Sequence, residues 1–362
     1  MKRREFTRNL IGFPLTAAIP AAAAAAALDH ITMPPGGSIA DVPGLKVGHH
    51  TRTDRPTSCT VMLCEAGAAA GVDVRGSAPG TRETDLLSPI NSVQQVNAIV
   101  LSGGSAYGLD TATGVMRYLE EQHAGFKIGK LGVVPIVPAA ILMDLGVGDF
   151  KIRPTAEDGY AACKAATTGV IEEGNVGAGA GATIGKMFGQ GFAMKSGLGT
   201  ASVKIGDTGI VVGAVVAVNA VGDVVDPTSG RIVAGARSED GKGFRDSMNA
   251  VLNGYRVVVQ PAANTTIGCV ATNAPFTKIQ MTKIAQMAHD GFSRAINPVH
   301  TMGDGDTIYA LSTGTSTVHA DVTAIGSIAA VVMSRAIVRA AMQASSLTTP
   351  NLPAYKDYVK NA

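Results

Sequence analysis

VVGAVVAV (residues 211–218) runs without a polar side chain, and TTIGCVAT (265–272) has nothing charged between its terminal threonines. A strand with one wet face alternates apolar and polar residues, whereas one buried on both faces reads as a continuous apolar run. The two segments therefore predict sheets covered on each side, by helices or by one another. Working outward, LKVGHH (45–50), TVMLCEA (60–66), NAIVLSGG (97–104), GVVPIVP (132–138) and DTIYALSTG (306–314) read as further strands, closed by Gly, Pro or Asp. The 209–225 region predicts two long apolar strands. Helices are expected over 107–122 and 156–168, with a glycine-rich loop at 174–185. A third helix opens at Thr277 through a T-x-x-Q capping box with Gln280. Ile284, Met287, Ala288, Gly291 and Ala295 form its inner stripe. A long helix over 322–343 closes the pattern, facing inward through Ile325, Ala329, Val332, Ala336 and Ala340. Charged and turn residues mark 228–264 as an exposed connector. The sum is a layered α/β sandwich in one domain, residues 28–362.

Composition narrows the function classes. The chain has 362 residues, a formal net charge of +2, 46% hydrophobic residues, 4% aromatics and no Trp. With few stacking surfaces and no basic block past the first residues, nucleic acid is not the expected partner. Cys59, Cys64, Cys163 and Cys269 form no CxxC pair or zinc spacing, so no metal site is expected of them. In an extended strand Cys59 and Cys64 lie roughly 17 Å apart, too far for a disulfide. All four read as small core residues.

Residues 1–27 carry Arg3-Arg4 in a K-R-R-x-F setting, a modest apolar stretch and alanines offering A-x-A sites. That is the layout of a twin-arginine export signal. An uncleaved anchor is the competing reading, but the apolar part is mostly alanine and interrupted by Pro14 and Pro20. A spanning helix needs about 20 strongly apolar residues. The expectation is transient contact with the export machinery and a periplasmic or extracellular product.

Several motifs come close to known chemistry and miss. GAGAGATIGKM places Ala180 and Met187 where a phosphate loop needs Gly and a hydroxyl. GGSAY puts Tyr107 where the Ser105 nucleophile elbow would need Gly. There is no HExxH, and His289 and His300 read as structural. The junction Asn264-Thr265-Thr266 offers more. A Thr hydroxyl can use its own α-amine as base only when Thr begins a chain. Such an amine titrates at about 7.7–8.0, so much of it is neutral at working pH. Cleavage between Asn264 and Thr265 would leave that nucleophile anchored at the mouth of a strand. GDGD at 303–306 supplies Asp304 and Asp306, able to orient an ammonium or a hydroxyl. Asn219 ends an apolar strand, where an amide can donate to an oxyanion or merely cap a turn. Lys186 can tune a neighbouring acid or simply be solvated.

At these residues the sequence resembles the DmpA-type aminopeptidases: L-aminopeptidase/D-esterases, β-peptidyl aminopeptidases and nylon-oligomer hydrolases. The resemblance is carried by GVDVRGSAPGTRETDLL (71–87), LSGGSAYGLDTATGVMRYLEE (101–121), VPIVPAAILMDLGVGD (134–149) and EGNVGAGAGATIGK (173–186). It continues through KSGLGTASV (195–203), VNAVGDVVDP (218–227), NTTIGCVATNAPFTK (264–278) and AHDGFSRAINPVHTMGDGDTIYALSTG (288–314). It implies a four-layer αββα sandwich, also seen in ornithine acetyltransferase, and assembly into homo-oligomers. It implies self-cleavage into residues 28–264 and 265–362, with Thr265 attacking small peptide or amide substrates and needing no cofactor. The nylon-hydrolase branch, which shares Asn-Thr-Thr, implies Lys186 and Asn219 beside the nucleophile and Asp304 and Asp306 orienting it. Met143 stands where that branch carries Tyr, so a phenol role does not transfer. An acyltransferase and a non-catalytic member of the fold are the competing functions. Glu83 and Asp85 are candidates to meet a substrate ammonium, with salt-bridge roles as alternatives.

Overall fold

A computed structural model describes residues 31–256 and 264–361; the segment read as an export signal lies outside the described residues. Nine strands form the principal sheet: β1 (Lys46–Thr51), β2 (Ser58–Val74), β3 (Thr81–Arg82), β4 (Gln95–Ser102), β5 (Ala139–Ile141), β6 (Leu198–Lys204), β7 (Val211–Asn219), β8 (Thr265–Thr272) and β9 (Thr307–Ser312). Their order is β6-β7-β8-β9-β2-β4-β5-β3, with β1 paired to β2. Only β8–β9 and β4–β5 run parallel; the other pairs are antiparallel.

The sheet doubles over at β2. This strand is 17 residues long, and its register against β4 shifts between Leu63 and Ala68. Its leading half pairs with β1, its trailing half with β9. A bulge of this kind bends the strand and raises its twist. Side-chain alternation then sorts each strand between two cores. Val212, Ala214, Val216 and Val218 of β7 join one core, with Ile308 and Ala310 of β9. Val215 and Ala217 join a second core, with Ile267 and Cys269 of β8, Tyr309 of β9 and Met62 of β2. That second core lies between the two halves of the sheet. A third holds Val61, Leu63, Ala98 and Val100 against the helices α1 (Thr111–Glu121) and α2 (Ala156–Lys164). Helices α4 (Lys278–Ala295) and α5 (Val322–Gln343) cover the first core. The layers are therefore αββα, the expected sandwich.

Local signals account for the helix ends. Thr277 and Gln280 complete the capping box of α4 reciprocally. Asp321 caps α5, accepting from Thr323 N at 2.8 Å and Ala324 N at 3.1 Å. By length and hydropathy α5 could cross a membrane, but 72% of its apolar window is buried inside the fold, as befits a core helix. The α4 layer lies close enough on β2 that a Cβ at Gly71 would meet Thr282 N at 2.2 Å. The four cysteines are free and buried.

Other expectations need correction. The helix expected from residue 107 begins as a 3-10 turn, Ser105–Asp110, and the one expected to reach 168 stops at Lys164. GVVPIVP is not one strand: Gly132–Val134 pairs in a hairpin with Phe126–Ile128, and β5 starts only at Ala139. Pro135 and Pro138 lack the N–H a ladder needs. The second strand of 209–225 shrinks to Asp223–Val225. The connector over 228–264 is partly built in, since Val233 and Ala234 are fully buried and α3 (Ser247–Leu252) follows. Residues 257–263 lie outside the described residues.

Candidate active site

Thr265 opens β8, and the antiparallel register sets it opposite Asn219, the last residue of β7. On its other side β8 runs parallel to β9, so the turn entering β9 lies beside the start of β8. A bridge pairs Asn264 with Asp304. Asn219, Asn264, Thr265, Asp304 and Asp306 are all under 5% exposed and Lys186 is 8% exposed. The six residues singled out from sequence thus belong to one buried cluster.

The scissile candidate is held from both sides. The Thr265 hydroxyl donates to the carbonyl oxygen of Asn264. Gly305 N donates to the same oxygen at 3.0 Å. Only glycine fits at 305: a Cβ there would meet Ala78 O at 2.6 Å and Thr265 Oγ1 at 2.8 Å.

Asn219 is fixed through both ends of its amide. Its Oδ1 accepts from Thr183 N at 3.0 Å and Lys186 Nζ at 2.9 Å; its Nδ2 donates to Met143 O at 3.0 Å. Among the described residues its second Nδ2 hydrogen has no partner. Lys186 Nζ also donates to Asn219 O at 2.9 Å. Burial lowers the Lys186 pKa to about 7, against the pull of Asp304 and Asp306. It is a tunable group rather than a solvated surface lysine.

The two carboxylates differ. Asp306 accepts from Thr266 N at 2.8 Å through Oδ1 and from His300 Nδ1 at 2.8 Å through Oδ2. Asp304 accepts from Thr301 N at 2.8 Å and Thr301 Oγ1 at 2.6 Å, both at Oδ2. Its Oδ1 is buried and has no hydrogen-bond partner among the described residues. Burial, then the Asp306 charge, pushes Asp304 up to about 6. A carboxylate that titrates near 6, a threonine hydroxyl, an amide donor and a lysine near neutrality thus share one buried cluster. That combination can move protons and stabilise an oxyanion.

A family model described as Peptidase family S58 matches residues 37–353. The chain belongs to that family. Its S58 relatives include an uncharacterised aminopeptidase of Mycobacterium leprae, 43% identical over 352 residues, covering 89% of this chain and 94% of the relative. A 6-aminohexanoate-oligomer endohydrolase of Kocuria sp. is 31% identical over 318 residues, covering 83% and 85%. Among solved structures, a Burkholderia sp. beta-aminopeptidase superposes with a TM-score of 0.63 at 21% identity, over 91% of this chain and 96% of that one. The L-aminopeptidase D-Ala-esterase/amidase of Ochrobactrum anthropi gives 0.64 at 20%, over 91% and 94%. These likenesses establish the fold, and the DmpA-type resemblance stands.

Other sequence candidates fall elsewhere. Glu83 spends its carboxylate on Val137 N at 3.2 Å, and Asp85 is exposed at the start of a 3-10 turn. Ser105 has the left-handed backbone of an elbow, φ 54°, yet among the described residues no histidine ring bonds its hydroxyl. Sequence reasoning missed His300 as a partner of Asp306, Thr301 as the holder of Asp304, and Gly305 on the Asn264 carbonyl. Their one available signal was adjacency to GDGD.

Proposed function

We propose that this S58 chain is a self-processing amide hydrolase whose nucleophile is Thr265. The observation that carries the reading is the Thr265 hydroxyl resting on the Asn264 carbonyl while Gly305 N–H polarises that carbonyl. In the first step Thr265 Oγ1 adds to the carbonyl carbon of Asn264 and the oxyanion is held by Gly305 N–H. The C–N bond then breaks, the hydroxyl proton passes to the departing nitrogen, and an ester links Asn264 to Thr265 Oγ1. Water hydrolyses the ester, leaving an Asn264 carboxylate and a Thr265 amine.

That amine is the base for turnover. It takes the Oγ1 proton as the hydroxyl attacks a substrate amide and returns it to the leaving amine. Asp304 Oδ1 is an acceptor available to the amine, and Asp306 ties the start of β8 down through Thr266 N. The remaining Nδ2 hydrogen of Asn219 serves the oxyanion, while Lys186 fixes the amide the right way round. Substrates are small peptides or other short amides, in keeping with relatives named for aminopeptidase and aminohexanoate-oligomer hydrolysis. We also propose export on the strength of residues 1–27, and a homo-oligomer on the strength of the family resemblance.

The test is direct. Fresh enzyme runs as two bands on a denaturing gel, and sequencing of the smaller begins at Thr265. Rate rises with pH as the amine loses its proton near 7.7–8.0, about the value for a free α-amine. Fully active material in one unbroken chain, or a rate that stays flat down to pH 5, sinks the reading.

A further inference from the structure

Two adjacent residues outside the GDGD run do the same job on its two carboxylates. His300 gives Asp306 Oδ2 its backbone N–H at 3.1 Å and its ring Nδ1 at 2.8 Å. Thr301 gives Asp304 Oδ2 its backbone N–H at 2.8 Å and its hydroxyl at 2.6 Å. Each carboxylate thus receives one main-chain and one side-chain donor on one oxygen. Asp306 gives its other oxygen to Thr266 N on β8, and the other oxygen of Asp304 has no partner among the described residues.

His300 has a φ of 57°, a left-handed conformation that costs a non-glycine residue free energy and clusters at functional sites. Successive N–H groups around a left-handed residue form a concavity for anions. The ring is supported from α4: His289 lies edge-on with centroids 4.9 Å apart, and Phe292 stacks at 6.0 Å. His289 is itself anchored by Asp73 O at 3.0 Å.

We infer that His300 and Thr301 are a positioning pair that holds Asp304 and Asp306 in register with the Thr265 amine, each through one backbone and one side-chain donor. The inference rests on the Thr265 reading above. Two carboxylates this close repel, as the upward effect of Asp306 on Asp304 records. Donors on the outer oxygens offset that repulsion and stop either side chain from rotating away. The charged and titratable groups facing the pair are Asp306 and Lys186 around Asp304, then His300, with His289, Asp73 and Arg75 behind it. Thr301 donors lower the Asp304 pKa; burial and Asp306 raise it. Removing the hydroxyl therefore moves Asp304 protonation to higher pH.

The experiment uses the full-length chain and a chromogenic amide, with kcat and KM measured across pH. Thr301→Val, close to isosteric, lowers kcat by roughly tenfold, the order expected for one charge-assisted hydrogen bond, with KM within about twofold. It also moves upward the lower of two acid-side inflections in the kcat/KM profile, the one from Asp304 near pH 6 beneath that of the Thr265 amine, and Thr301→Ser restores both. His300→Ala lowers kcat comparably, while His300→Asn recovers part of it, because Asn tolerates the left-handed backbone and offers an amide donor. Wild-type kcat and acid limb in folded Thr301→Val and His300→Ala overturn the pair. If Thr301→Val does not fold, Thr301→Ala, which keeps the backbone donor and loses only the hydroxyl, takes its place, and wild-type kcat there overturns the proposal equally. Thr265→Ala run alongside separates the two ideas: activity in that variant refutes the nucleophile, whereas its inactivity beside unaffected pair variants refutes only the pair.

Discussion

Asp144 and Asp304 are both buried carboxylates, with 2% of each residue exposed, and the fold treats them in opposite ways. Asp144 is fully supplied. Its Oδ1 accepts from Arg55 Nη2 and Gly104 N, each at 2.8 Å, and its Oδ2 from Thr57 Oγ1 at 2.6 Å. Arg55 is equally enclosed and spends its other donors on the Val147 and Ile152 carbonyls. Asp304 has one oxygen without a partner among the described residues and a second carboxylate as neighbour. A buried acid that only holds loops together is well supplied with donors. On the proposed reading, one kept short of a donor beside the new amine is held ready for chemistry at a cost in stability.

The largest effect expected from this contrast is at Asp144. Asp144→Asn leaves the Arg55 guanidinium buried without its counter-charge, a loss that typically costs about 3–5 kcal/mol. The segment around Met143, whose carbonyl orients Asn219, loosens with it. Denaturant unfolding should register the drop, and a loss below about 1 kcal/mol would remove Asp144 as the contrasting case.

Asp304→Asn should act with the opposite sign on stability. The folded chain holds this carboxyl near pH 6 against an ordinary 3.8. A folded-state value raised in this way favours folding fully below pH 3.8, and the advantage disappears as pH climbs through 6. Above that, the ionised group costs on the order of 3 kcal/mol, since each unit is worth about 1.4. Compared within the uncut Thr265→Ala chain, Asp304→Asn is therefore more stable at pH 8, with the gain shrinking towards pH 4. In the otherwise native chain it loses most activity. An unchanged unfolding midpoint at pH 8 would break the comparison.

Some of this was legible from residues alone because the signals are local. Helix α5 spans the expected 322–343, since Asp321 caps it and its apolar positions are unbroken. The run 211–218 announced a strand buried on both faces because both neighbouring cores need apolar partners. The arrangement of the site was not local. Asn219 meets Thr265 only through the β7–β8 register, and Arg55 meets Asp144 across 89 residues of chain. No periodicity predicts either. The doubling of the sheet depends on a register shift inside β2 that an apolar run such as TVMLCEA does not betray. His300 and Thr301 were passed over because a lone histidine beside a threonine has no motif. Their meaning comes from a backbone angle and two carboxylates that the fold turns toward them.

The smallest effect distinguishes the two threonines of the junction. Thr266 is fully buried and its hydroxyl has no partner among the described residues, whereas the Thr265 hydroxyl lies on the Asn264 carbonyl. Side chains alternate across a strand, so the two hydroxyls point to opposite faces of β8. Only the first faces the junction; the second carries an unmet polar group into the core. Thr266→Val keeps the branched shape and leaves the backbone N–H on Asp306 in place. It should therefore preserve self-cleavage and stabilise the chain by about 1 kcal/mol, the usual penalty for an unsatisfied hydroxyl. Thr265→Val, with the same change of one atom group, should leave a single uncut band. If Thr266→Val blocks cleavage instead, the second hydroxyl takes part in the chemistry, and both threonines of the junction are functional.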